Sequence, residues 1–447
     1  MERASPIPPL QAFCSETTEG HVEETMARSG GQQRRCVPQE AIPWSSEVLD
    51  PRARRGRRHA HLGLLNLLVA AFACGLLALR RAEDLSRDIS KRTRRAWRLP
   101  RWVSDSTLYR LLSKQLALGF RETVRAQAKK ILADEAAAGI QPLLPIRVAT
   151  IDGKSILTTT QAPIPGMDQT PCDADGTPLW RLGALRAVLT SSPSAPGLDL
   201  EFLGAKEGES PAFRVLFPRL VANFGEHFDV VTGDAGLTAR ENAKLVIACS
   251  KDYMLGLKGN QPTLFEYAQS AFANQQCSPR AVTIERGHGA LYTRELWCHS
   301  VNGPGQNEFD LPGARQLWCV RQTRVEDGKP PVIEWRYFVT SLPSTRLWYQ
   351  YVLALVRLHW RIENAHNWTL DMVFGEDDGA PCETSREALE VAAWLRVLAY
   401  NSVSTWRARA PKKDRLPISW ARAAETLRDL FVHGLAPNGV PPTSAPA

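Results

Sequence analysis

Two aspartates, Asp152 and Asp234, each close a run of apolar and β-branched residues, Ile146-Arg147-Val148-Ala149-Thr150-Ile151 and the stretch 228 to 232. If those runs are neighbouring parallel strands, both carboxylates reach one sheet edge. Two hard oxygen ligands there suit Mg²⁺, with Mn²⁺ as its substitute. Holding a pair of ions takes a third acid. Glu363 is the candidate, because it falls mid-helix among Trp360, Ile362, Trp368 and Leu370, where an unpaired carboxylate is costly. Two ions about 4 Å apart would activate an attacking oxygen, stabilise the leaving oxygen and clamp an in-line phosphoryl displacement. Plainer readings stand beside this one. Asp-Gly at a strand end is ordinarily a turn, Asp234-Ala-Gly could simply open a loop, and Glu363 could pair with His359 or Arg361.

The elements that must carry these acids are readable from periodicity. After Pro145, strands are expected over 146–151, 180–189 and 198–203, then a helix over 211–224, a strand over 228–232, a helix over 239–249 and a strand over 253–257. Three antiparallel-type strands followed by alternating helix and strand make a mixed α/β sheet. Residues 282–341 read as nearly all β, with Trp297, Trp318 and Trp335 in separate strands. A long helix over 348–374 follows, so the β segment interrupts the α/β domain as an insertion. Helical sequence continues over 387–404.

Upstream, helices are expected over 62–79, 82–96, 104–118 with a Ser104 cap, and 121–138. The chain therefore divides into a loose leader (1–45), a basic helical N-terminal domain (46–140), the first part of the catalytic domain (141–281), the β-rich insertion (282–341), the last catalytic helices (342–410), and a C-terminal helix with a frayed tail (411–447). The uncharged stretch 62–79 meets the length criterion for a membrane span. Its Asn66, Gly63 and Gly75 and the dense Arg on both flanks favour a buried helix, without membrane partners.

The composition of the 447 residues, 44% hydrophobic and 23% charged, excludes wholesale disorder, collagen and a coiled-coil rod. The net charge of +8 is unevenly placed: residues 52–101 alone carry 14 Arg or Lys against three acids, leaving the rest of the chain slightly acidic. Arginines at this density (Arg54, Arg55, Arg57, Arg58, Arg94 and Arg95 among them), with Trp97 and Trp102 nearby, suit phosphate contacts. The nine cysteines are scattered, with no Cys-x-x-Cys pair. That argues against structural zinc and a disulfide framework and for a reducing, cytoplasmic setting at the nucleoid.

The words around the three acids resemble the DDE transposases of bacterial insertion sequences, of the H-repeat-associated type. The segments are ATIDGKSI (149–156), FDVVTGDAGLTAREN (228–242), DYMLGLKGNQPTLFE (252–266), ERGHGALYTREL (285–296) and HWRIENAHNWTLDMVFGEDD (359–378), in family order. DPRARRGRRH and LPRWVSDSTLYRLL resemble the family's N-terminal part. The resemblance implies a ribonuclease H-like catalytic core with a β-rich insertion and Asp152, Asp234 and Glu363 as the triad holding two Mg²⁺ ions. It also implies cleavage at the element's ends that exposes a 3′ hydroxyl, and attack of that hydroxyl on target DNA. The implied partners are double-stranded terminal repeats, target DNA and further copies of the chain, as a homodimer or larger on DNA.

Some positions depart from the wider group, whose Tyr, Arg, Glu and Lys along the last helix fall here on Val356, His359, Glu363 and Leu370. Only Glu is kept, with Asp371 as the subfamily's later acid. Asn367 stands before the tryptophan where the subfamily tends to place His, and His366 is one earlier. At helical spacing His366 and Asn367 flank Glu363 and can approach the DNA backbone. Lys154, Lys258, Asn260, Gln261, His288 and Arg294 are further candidates for DNA contact. Any of the insertion tryptophans could stack on a displaced base or pack in the core. The rival reading is a catalytically silent or domesticated relative that binds DNA without cutting it.

Overall fold

The computed structural model describes residues 42–55, 57–160, 164–170, 176–273, 277–287, 289–301, 311–376, 381–409 and 418–433. Five helices come first: α1 (His61–Ala73), α2 (Leu79–Asp88), α3 (Lys91–Ala96), α4 (Asp105–Leu112) and α5 (Phe120–Ala137). The expected helix over 82–96 is two helices, because Ser90 accepts a hydrogen bond from the Thr93 amide and starts a new one. Ser104 caps α4 as expected, through the Thr107 amide, but α4 stops at Leu112. In α1, Leu64, Leu65 and Leu67 through Ala73 are all buried. A helix apolar all round needs neighbours on every side. Among them is α11 (Arg386–Arg409), whose Val391, Trp394 and Leu398 share a core with Leu64, Phe72 and Phe120. No described helix is long and apolar enough to cross a membrane.

The sheet is built from β1 (Val148–Thr159), β2 (Asp168–Thr170), β3 (Leu179–Val188), β4 (Gly197–Phe202), β5 (Val230–Gly233), β6 (Asp252–Leu257), β7 (Ala281–Gly287), β8 (Ala290–Ser300), β9 (Gln316–Glu326) and β10 (Val332–Thr340). Its order is β2-β3-β1-β5-β6-β10-β9-β8-β7, with β4 also on β3. Strands β1, β5 and β6 are parallel, whereas β3 is antiparallel to both β1 and β4. With α6 (Glu209–Phe224) after β4 and α7 (Arg240–Ala248) after β5, this is a ribonuclease H-like mixed sheet. The insertion strands do not form a sheet of their own: β10 pairs with β6 at Tyr337↔Leu257 and the ladder runs on to β7.

Alternation along the strands sends Ala149, Ile151, Val231 and Leu255 to the face covered by α6, where they meet Phe213, Leu216 and Phe217. Val148, Val230 and Met254 face α9 (Tyr349–His359) with its Val352, Leu355 and Val356. Full burial of such side chains contributes roughly 1.5–3 kcal/mol each. After α9, the expected single helix is interrupted by a π-helical turn, Ile362–Asn367, before α10 (Trp368–Met372). The last element is α12 (Trp420–His433), and α8 (Pro262–Ala273) lies between β6 and the insertion. The described cysteines are free thiols.

Candidate active site

Strand β1 does not end at Asp152, as its Asp-Gly-Lys sequence suggests. Parallel pairing with β5 stops at Ile151↔Gly233, and β1 continues against β3 with Asp152 opposite Arg186. Asp152 and Asp234 are thus the next residues after a matched pair on adjacent parallel strands. Asp234 begins a 3-10 turn, Ala235–Leu237, held from below by the buried Leu237. Two residues expected to meet DNA fasten that turn: Asn260 Nδ2 donates to the Ala235 carbonyl at 2.6 Å and Gln261 Nε2 to that of Thr238 at 2.7 Å. Gly256 is needed for this close approach, since a Cβ there would lie 3.1 Å from the Ala235 amide nitrogen.

Glu363 lies in the π turn, and neither expected ion-pair partner takes it. Arg361 donates to the carbonyls of Thr190, Ser192 and Pro193, each at 2.6 Å. His359 Nδ1 is 3.3 Å from Thr232 Oγ1, which donates to Thr150 Oγ1 at 2.9 Å. Burial, with Arg336 and Lys258 nearby, pulls His359 down to about 4, leaving it neutral at physiological pH. Glu363 is exposed at the pocket edge, not enclosed by the apolar residues around it in sequence.

The acids act on one another. Burial, together with the carboxylates of Glu363, Asp234 and Glu209, pushes Asp152 up to about 7. Burial also raises Glu363, with Asp234 adding to the rise and Arg336 and Lys258 opposing it. Asp152 Oδ2 accepts a 2.9 Å hydrogen bond from Asn367 Nδ2. Asp234 Oδ1 is buried with no hydrogen-bond partner among the described residues. Hard carboxylate oxygens, one of them orphaned, fit a divalent cation. The shell is open, however: among the described residues no three His, Cys, Asp or Glu side chains stand close enough to hold one ion.

No protein-family model matches the chain. Over 183 residues it is 28% identical to YbfL of Escherichia coli K12, a match covering 38% of this chain and 46% of that protein. Over 183 residues it is also 27% identical to the E. coli K12 protein YhhI, named as H repeat-associated and as a transposase, again covering 38% and 46%. The chain is similar to the H repeat-associated transposases. The matching stretch spans less than half of these relatives' length. A solved piggyBac transposase synaptic complex with hairpin DNA aligns over 85% of this chain and 74% of that one, at 10% identity and a TM-score of 0.41.

Three of the segments, 228–242, 252–266 and 359–378, meet at one cavity, whose lining does not include Asp152. It encloses about 350 Å³ between Asp234, Lys258, Phe265, Trp335, Arg336, His359, Trp360 and Glu363. Trp335 is the insertion tryptophan on this wall, 40% exposed, whereas Trp318 and Trp297 are buried. Arg336 lies 4.0 Å over the Trp360 ring. Neither Arg336 nor Glu209 was legible as a site residue: the first sits in a strand of alternating charge, and the second precedes a helix start that reads as beginning at Pro211.

Several residues expected to contact DNA are buried or have partners within the fold. His366 is 1% exposed, its ring 4.3 Å from that of Tyr400, because the π turn rotates it into the core. Lys154 pairs with Asp371 at 2.6 Å. Arg294 pairs with Glu285 at 3.0 Å and bonds Gln322. Arg94 donates to the carbonyls of Ser86 and Arg87 at the end of α2. Lys258, Arg54, Arg55, Arg57, Arg58 and Arg95 are exposed, with Arg57 paired to Asp50 at 3.3 Å. His288 lies outside the described residues.

Proposed function

We propose that the chain is a DNA transposase that cuts the ends of its element and joins the freed 3′ hydroxyl to target DNA. The observation that carries this reading is that Asp152 and Asp234 each follow the last matched pair of β1 and β5, that Glu363 shares a cavity with Asp234 and lies in the turn whose Asn367 bonds Asp152, and that none of the three has an ion pair among the described residues, Asp234 Oδ1 being buried and unpartnered. These three acids would hold the divalent cations, which supply charge neutralisation for an in-line phosphodiester displacement. Asn367 holds Asp152 in place through its amide. Lys258 and Arg336 offset phosphate charge beside Glu363, and Trp335 offers a face on which an unpaired base at the cut end stacks. Hydrolysis breaks the bond to the 3′ oxygen at the element end. That hydroxyl then attacks a target phosphodiester and releases a target 3′ hydroxyl, so the count of phosphodiester bonds is unchanged in the joining step.

Purified protein with Mg²⁺ and a labelled element end is expected to nick the DNA. Asp234→Ala should abolish nicking while leaving end binding within about twofold. Normal cutting by that variant would remove Asp234 from the site. The open spacing of the acids favours one second reading, a silent DNA-binding relative. Wild-type protein that binds ends but never nicks them in Mg²⁺ or Mn²⁺ would carry that reading instead.

A further inference from the structure

We propose that Glu209, in the first turn of α6, is a fourth metal-facing carboxylate of this centre, a proposal that rests on the metal-binding reading of Asp152 and Asp234. Glu209 is remote in sequence from every acid discussed above, yet its carboxylate occupies the space beside both aspartates. At Gly153, the residue after Asp152, a Cβ would lie 1.9 Å from Glu209 Oε1. At Gly236, two residues after Asp234, a Cβ would lie 3.2 Å from Glu209 Oε2 and 3.2 Å from Asp234 Oδ1. One carboxylate therefore spans from the backbone of the first acidic motif to the side chain of the second. At Gly153 a side chain would displace the Glu209 carboxylate, and at Gly236 it would crowd it by a few tenths of an ångström.

The unpartnered, buried oxygen of Asp234 is the same Oδ1 that shares the Gly236 niche with Glu209 Oε2. Glu209 itself has no hydrogen bond or ion pair through its carboxylate among the described residues. Burial and Asp234 raise it, and Arg181 opposes only at a distance. A favourable place at a helix N-terminus accounts for an acid in the first turn of α6. It does not account for a carboxylate that reaches the niches beside both aspartates. Glu209 and Asp234 would hold a divalent cation, whose charge would relieve that repulsion and give the orphaned oxygen a partner. Glu209 would then hold the cation together with Asp234 from the first turn of α6.

Mn²⁺ titration of the full chain, read by electron paramagnetic resonance without DNA, tests this. Glu209→Gln, nearly isosteric, is expected to weaken Mn²⁺ binding by roughly tenfold or more or to remove one bound ion. Gly153→Ala is expected to do the same by displacing the Glu209 carboxylate. Asp234→Asn is the control for the parent reading: unchanged Mn²⁺ binding there would sink the metal site itself. Loss with Asp234→Asn but wild-type affinity and stoichiometry with Glu209→Gln would sink only the role of Glu209. Thermal melts without metal separate a structural role. Glu209→Gln should melt no lower than wild type, since it removes a repelled charge, and a marked drop would overturn the proposal.

Discussion

Asp152 is the side chain in which folding and chemistry oppose each other most directly. Its carboxyl titrates at about 7 in the folded chain against an ordinary value of 3.8, because burial and three neighbouring carboxylates disfavour the anion. The sign of the linkage follows. Below the unfolded value both states hold the proton and the folded state keeps its full stability. As pH rises from about 4 to 7 the unfolded chain releases a proton that the folded chain retains, so stability falls across that window. Metal-free wild type should therefore lose on the order of 2 kcal/mol between pH 5 and pH 8 through this residue. Asp152→Asn should lack that component, and Mg²⁺ at pH 8 should restore it to wild type only. Denaturant unfolding at the two pH values checks this; parallel pH dependence in the two proteins would refute it. Asp152 and Asp234 were legible in sequence because each terminates an apolar run. The partner that holds Asp152 was legible only as a name: Asn367 stood out, but its bond to Asp152 depends on a turn no periodicity reveals.

That turn is the feature at the scale of elements. Hydrophobic spacing over 348–374 reads as one helix, and α9 and α10 do lie at its two ends. Between them the π turn accommodates one residue more than an α-helix would, a device common at functional sites. It sends His366 into the core beside Tyr400 and leaves Asn367 facing Asp152. Deleting Ala365 should convert the segment to α-helix, leaving the helices on either side in register while re-aiming the side chains inside the turn, Glu363 and Asn367 among them. The expected result is a folded protein with unchanged far-ultraviolet circular dichroism and cleavage reduced by at least about a hundredfold. Retained cleavage would show that the turn does not set the site. Other elements were misread for equally local reasons. Asp-Gly-Lys looks like a turn, yet β3 continues to pair with β1 beyond it. The basic stretch 82–96 looks continuous, yet Ser90 restarts the helix.

For the whole molecule, charge and core are distributed differently along the chain. The basic N-terminal stretch presents Arg54, Arg55 and Arg58 to solvent, while the helix after it is buried against α11 near the other end. The charge excess was plain in composition, whereas the burial partner of α1 was not, because an apolar stretch does not say what covers it. Replacing Arg54, Arg55 and Arg58 together by Ala should weaken binding to element ends and lower the slope of log affinity against log salt by roughly 3. Mn²⁺ binding should stay as in wild type. Fluorescence anisotropy at several salt concentrations measures the slope, and an unchanged slope would take these arginines off the DNA.

The insertion is stitched to the acid-bearing strands by the β6–β10 ladder, and that continuity has a mechanical consequence. Trp335 and Arg336 stand just beyond the last β6–β10 pair, on the strand that carries that ladder and pairs onward with β9, so their wall of the cavity is anchored to the strand that leads into Lys258. If a DNA end enters as proposed, it must bend, fray or unstack to meet that fixed wall, and sequences that deform cheaply should be gripped first.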